Sequence, residues 1–175
     1  MTKRIILVIL LIAWAGTIFM CSNLNSSMSG TQTMVLFRKV SRIPYKVLKF
    51  LGLYNNTQYE NESFLEFTSR NYMLFRKLCH AFVYFVFSVL LYKTLKFIFN
   101  YNHFYISSFT LLICIIFSLL DEFHQGFVRG RASSLIDCLI DNIGTVLGII
   151  FSIVLYQITM RIKNKKKENE LVCLT

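Results

Sequence analysis

The residues able to do chemistry crowd into one stretch, Asp121 to Gly148, which reads DEFHQGFVRGRASSLIDCLIDNIGTVLG. Asp121, Glu122, His124, Gln125, Arg129, Arg131, Asp137, Asp141 and Asn142 stand there between two long apolar runs. Charge at the edge of a bilayer is cheap. Inside a membrane helix each charged side chain costs about 2.5–3.5 kcal/mol at the helix centre on insertion scales, and less toward the ends. Asp141 lies a full turn or more inside the last apolar run, so something must compensate it. A second polar set precedes these: Arg76, Lys77, His80 and Tyr84, of which Arg76, His80 and Tyr84 repeat every four residues. On a helix that spacing stacks them on one face, and Asp121/Gln125 and Asp137/Asp141 repeat the pattern.

Three kinds of chemistry fit these residue types. Arg76, Lys77 and Arg131 are multidentate donors suited to a phosphate, with Asp121, Glu122, Asp137 and Asp141 orienting them. Alternatively, His80 or His124 serves as a general base, with Asp121, Glu122 or Asp137 as its orienting partner or as ligands of a hard metal. No catalytic motif is present, however, and no Ser or Cys adjoins a base, so an enzyme is the secondary expectation and no cofactor or metal site is assigned. In the third case the charges only set helix register, because polar contacts in membrane bundles serve as hydrogen-bonding glue worth about 0.6 kcal/mol each. A transporter is disfavoured, since no pair of broken helices with repeat symmetry is visible.

The elements that must position these residues are membrane helices. Of 175 residues, 55% are hydrophobic, and the apolar runs are longer than a soluble domain of this size carries. The net charge of +10 resides in basic residues beside the apolar runs. That placement points to lipid headgroups and topology as the partners, and away from nucleic acid. The five cysteines are scattered and form no CxxC pair, so they are read as small apolar side chains rather than a disulfide or zinc framework.

The expected architecture is an all-α membrane domain over residues 1–175, a bundle of about four spans with a long amphipathic first loop. Residues 5–21 form either a first span or a signal peptide; the lack of a small-x-small cleavage site favours a retained helix. Residues 34–53 mix apolar residues with Arg38, Lys39, Arg42, Lys46 and Lys49, interrupted by Pro44. They suit short amphipathic helices in the headgroup region or a solvated basic loop. Residues 54–69 are a polar connector. The further spans are 76–99, 104–120 and 135–158, with 121–134 a loop and a frayed basic tail over 159–175. Gly144 and Gly148 form a GxxxG that allows close helix approach. Trp14 is expected as an interface anchor, Lys93 and Lys96 as snorkelling ends, His103 as unremarkable and His124 as a solvated loop residue.

Four spans carry a parity consequence. The second span starts on the side where the first ends, and the third ends where the fourth begins, so Arg76, Lys77, His80, Asp121–Gln125, Arg131, Asp137 and Asp141 share one membrane face. Basic residues near the opposite ends (Lys3, Arg4, Lys93, Lys96, Arg161, Lys163 and Lys165–Lys167) favour cytoplasmic termini and a polar cluster that faces outward.

In order, Arg76-Lys77-x-x-His80-x-x-x-Tyr84, Asp121-Glu122-x-x-Gln125, Gly130-Arg131 and Asp137-x-x-x-Asp141-x-x-Gly144-x-x-x-Gly148 resemble the signature of the VanZ-like family of small bacterial membrane proteins. Trp14 and the Ser-rich segment after the first span resemble the family's opening. Members often carry Pro where Arg129 stands, which bears on the shape of that loop, and Glu where Val83 stands, which removes one acid. The founding member is linked to low-level resistance to teicoplanin, a lipid-tailed glycopeptide. The resemblance thus implies a bacterial cell-envelope role, with membrane lipids and a cell-wall precursor or glycopeptide as the expected partners, and it implies no reaction. The alternative expectation is an intramembrane enzyme acting on a lipid or polyisoprenoid phosphate.

The parity argument predicts that an impermeant thiol reagent applied to intact cells labels cysteines placed after residue 60 and after residue 125 equally. Opposite accessibility of the two positions would break the shared face.

Overall fold

A computed structural model describes residues 2–22, 31, 34–42, 46, 64–99, 101–128 and 133–172. Among these every regular element is helical: α1 (Thr2–Ser22), α2 (34–42), α3 (Phe64–Phe99), α4 (His103–Gln125) and α5 (Leu135–Val172). Three helical segments are long and apolar enough to cross a membrane, namely Asn71–Phe99, His103–Gln125 and Leu135–Lys166. The apolar part of α1, Arg4–Met20, is just shorter. At 1.5 Å per residue it is about 25 Å long, slightly less than a hydrocarbon core of about 30 Å.

Burial in α4 runs opposite to that of a soluble helix. Its inward positions are Ile106, Thr110, Cys114, Ser118, Glu122 and Gln125, nearly all small or polar and spaced mostly by four. Its outward positions include Phe104, Phe109, Leu112, Ile116, Leu119 and Phe123. A helix that shows its oil outward and keeps hydroxyls and carboxylates inward is built for a lipid solvent. There, apolar surface gains nothing from burial, and polar groups need protein partners.

The helices assemble by close approach. A Cβ on Gly144 would collide with the Ala81 carbonyl and stand 2.7 Å from Ala81 C and 2.9 Å from its Cα. One on Gly148 would meet the Ser88 hydroxyl and lie 2.6 Å from the Phe85 carbonyl oxygen. The GxxxG of α5 is therefore seated on the backbone of α3, and these two helices make the most extensive contact among the described residues. The helix α1 runs antiparallel to α3: Arg4 stacks over the Phe97 ring at 5.1 Å, while the Trp14 indole N–H donates to the Val83 carbonyl at 3.0 Å. Around that bond Leu11, Trp14, Ala15 and Ile18 pack against Tyr84, Phe87, Leu91 and Cys114. Trp14 thus anchors one helix to another inside the bundle instead of marking the water interface. At the far end Tyr92, Ile106 and Ile149 form a second core.

Several sequence expectations need revision. The helix α3 begins at Phe64, so part of the expected connector is helix, and α4 continues through Asp121 to Gln125, turning the first five residues of the expected loop into its last turn. Intrahelical bonding explains the second case: Gln125 Nε2 donates to Asp121 Oδ2 at 2.8 Å, and Gly126 N closes the helix on Glu122 O at 3.2 Å. The basic tail is a continuation of α5 to Val172. Residues 34–42 are helical, with Arg38, Lys39 and Arg42 exposed and Phe37 buried against Phe75, ring centroids 4.5 Å apart. The remainder of 34–53, Lys46 apart, lies outside the described residues.

Because the nearest atoms to Gly144 are backbone, Gly144→Ala forces α5 away from α3. We expect a loss of about 1–3 kcal/mol in unfolding experiments on the detergent-solubilised protein. Gly16→Ala, where an added Cβ meets nothing within 4 Å, is expected to leave stability unchanged or slightly raised.

Candidate functional site

Three helix ends meet at one end of the bundle: the amino-terminal half of α3, the carboxy-terminal end of α4 and the amino-terminal end of α5. Across the α3–α5 contact two pairs form a ladder. Arg76 Nη2 lies 3.8 Å from Asp137 Oδ2, and one turn further in His80 Nδ1 lies 3.8 Å from Asp141 Oδ1. Both separations suit ion pairs and are too long for hydrogen bonds. The outer rung is accessible, with side-chain exposure of 39% for Arg76 and 17% for Asp137. The inner rung is graded, since His80 is 28% exposed and Asp141 is 0% exposed.

Asp141 is enclosed by α4 as well. Ser118 Oγ donates to Asp141 Oδ2 at 3.1 Å, and Tyr84, also fully buried, faces the same space. Asp141 Oδ1 has no hydrogen-bond partner among the described residues, and neither has the Tyr84 hydroxyl. A single interhelical hydrogen bond of about 0.6 kcal/mol does not offset an insertion cost of about 3 kcal/mol. The carboxylate sits between the hydroxyl of Ser118 and the ring of His80.

The acids nearer the surface have structural work. Glu122 Oε2 accepts from the backbone N–H of Ser134 at 2.7 Å, while Ser134 Oγ accepts from Asp137 N at 3.4 Å and so caps α5. One carboxylate on α4 thus fixes where α5 begins, and Asp137 in the first turn of α5 favours the positive end of that helix. Asp121 is held by Gln125 within α4. Among the described residues no group of three or more His, Cys, Asp and Glu converges closely enough to hold a metal ion.

The ladder therefore gathers Arg76, His80, Asp137 and Asp141, with Lys77 half-buried beside Arg76, and Asp121, Glu122 and Gln125 are on the adjoining end of α4. Tyr84 continues the stripe inward: its hydroxyl faces the space around Asp141 and Ser118, while its ring packs in the apolar core with Phe87 and Leu91. Arg131 lies outside the described residues, as do Arg129 and Gly130. His124 is half-buried on α4 and stacks on Phe19 of α1 at 5.1 Å, which makes it a packing residue rather than a solvated one. Ser118 was not anticipated. The signal for it was the four-residue spacing of Thr110, Cys114, Ser118 and Glu122 inside an apolar run, which marks the inward face of α4.

No curated protein and no solved structure matches the chain. A family model described as VanZ/LLP1 matches residues 7–156, a span that takes in most of α1, the whole of α3 and α4, and α5 as far as Tyr156. Every residue of the ladder lies within that match, and the chain belongs to the VanZ/LLP1 family.

Proposed function

We propose that this VanZ-like membrane protein acts in the bacterial cell envelope by binding the phosphate-bearing headgroup of a lipid or lipid-linked cell-wall precursor at the ladder end of the bundle, and that this binding lowers susceptibility to teicoplanin. The supporting observation is the graded ladder. Arg76 and Asp137 at its rim are partly exposed and too far apart to hydrogen-bond each other, which leaves donors of Arg76 to offer a ligand, while His80 and Asp141 lie beneath the rim. Arg76 and the adjacent Lys77 supply fixed positive charge to a phosphate, and Asp137 accepts from a ligand hydroxyl or amine. Asp141 is too deep to touch a ligand, so its role is to position His80 and α5.

Both chain ends leave the bundle at the other end, since Arg4 of α1 and Thr159 of α5 line one cavity there. With the basic residues concentrated at that end, the reading places it in the cytoplasm and the ladder at the outer face of a multi-pass protein. That is the face on which a glycopeptide acts.

The test uses purified full-length protein and a labelled lipid-linked precursor. Arg76→Gln is expected to weaken binding about tenfold or more, the loss of one hydrogen bond to a charged group. Arg131→Ala is expected to weaken it as well. Asp141→Asn is expected to keep the helical fold and reduce affinity, whereas a residue that only sets register would leave affinity intact. Expression in a susceptible strain is expected to raise the teicoplanin concentration needed to inhibit growth, and Arg76→Gln to abolish that rise. Unchanged binding in both arginine variants would overturn the headgroup site, and unchanged susceptibility on full expression would overturn the resistance role.

A further inference from the structure

At the end opposite the ladder, α1, α3 and α5 enclose a cavity of about 590 Å³. Three of its lining residues are cations from two different helices: Arg4 of α1, and Lys93 and Lys96 of α3. No carboxylate lines it, and none of the three cations forms an ion pair among the described residues. Taken singly, each suits a long side chain that reaches for the membrane surface. Together they converge on one space, which snorkelling alone does not require.

Their orientation is built. Lys96 Nζ donates to the Tyr101 carbonyl at 2.6 Å and lies 5.4 Å from the centre of the Tyr156 ring, so its ammonium is held in place with further N–H donors to offer. The guanidinium carbon of Arg4 lies over the Phe97 ring, 5.1 Å from its centre. Behind these two, the Tyr92 hydroxyl and His103 Nδ1 are 2.6 Å apart, and His103 packs edge-on against Tyr156. This network ties the end of α3 to the start of α4 and the middle of α5, and it gives the cavity a fixed floor. The remaining wall is apolar, from Leu7, Phe97 and Leu155. A space with a cluster of uncompensated cations at one side and oil at the other is complementary to a molecule with a phosphate and an alkyl chain.

We infer that this cavity is a binding site for an anionic phospholipid, its phosphate held by Arg4, Lys93 and Lys96 and the start of an acyl chain lying along Leu7, Phe97 and Leu155. The site is separate from the ladder and stands whether or not the ladder binds a headgroup.

Native mass spectrometry of the delipidated full-length protein tests it, with dioctanoyl phosphatidylglycerol as the probe. The expected result is one tightly held phosphatidylglycerol, weakened about tenfold or more by Lys96→Gln and by Lys93→Gln. Lys93 is exposed and its substitution leaves the packing intact, so it keeps the test valid if Lys96→Gln impairs folding, which helicity by circular dichroism reports. Arg161→Gln, on the exposed continuation of α5 and outside the cavity, is expected to leave binding unchanged. Equal binding of dioctanoyl phosphatidylcholine would overturn recognition of the negative charge. Displacement by an equal concentration of inorganic phosphate would show a free-anion site and overturn the lipid assignment. An equal loss with Arg161→Gln would reduce the effect to general surface charge and overturn the site.

Discussion

A carboxylate with none of its surface exposed, set among apolar helices, constrains everything around it. Asp141 can stay there only if α5 lies close enough to α3 for His80 to reach it and close enough to α4 for Ser118 to donate. Gly144 and Gly148 supply the first approach by bringing the α5 backbone onto Ala81 and Phe85. The stripe of small residues on α4 supplies the second, because Thr110, Cys114 and Ser118 occupy little room and offer hydroxyls and a thiol inward. In a lipid solvent the aliphatic side chains contribute little to holding helices together. Tight backbone contact and a few polar bonds have to do it instead, and both are concentrated around this one aspartate.

The same contact explains why the surface charges fall where they do. Once Asp141 fixes the depth of α5, Asp137 is one turn nearer the surface and opposite Arg76, and Ser134 is at the level of Glu122. The hydrogen bond from Ser134 N to Glu122 then sets the start of α5 from the side of α4. Register at the buried point and register at the rim are therefore one property. A change at Asp141 reaches the exposed Arg76–Asp137 pair without any ligand touching the interior.

Much of this was legible from residue types and spacing. The four-residue repeats Arg76/His80 and Asp137/Asp141 pair rung for rung across the contact of α3 with α5, and the GxxxG of α5 lies against the backbone of α3. What periodicity could not supply is which atoms meet. Tyr84 continues the Arg76/His80 spacing with its hydroxyl toward Asp141 and Ser118, and what the spacing does not reveal is that its ring also packs in the core that α1 covers. Helix ends were also misplaced. Charged residues at Asp121 and Glu122 look like a loop to a hydropathy pattern, but an aspartate–glutamine pair four residues apart and a capped partner helix sustain helical geometry beyond the apolar run. His103 shows the converse. Nothing in its neighbours in sequence marks it, and its contacts with Tyr92 and Tyr156 come from the turn at Tyr101 and Asn102 folding α4 back along α3.

The bond between Trp14 and Val83 joins residues 69 positions apart. During synthesis α1 leaves the ribosome well before its partner carbonyl exists, and its apolar stretch is marginal for holding the bilayer unaided. The nascent protein thus passes through a stage in which its first helix waits, indole N–H unmatched, for α3 to arrive. Completion of the bundle thus gives α1 a polar anchor that its own apolar length does not provide.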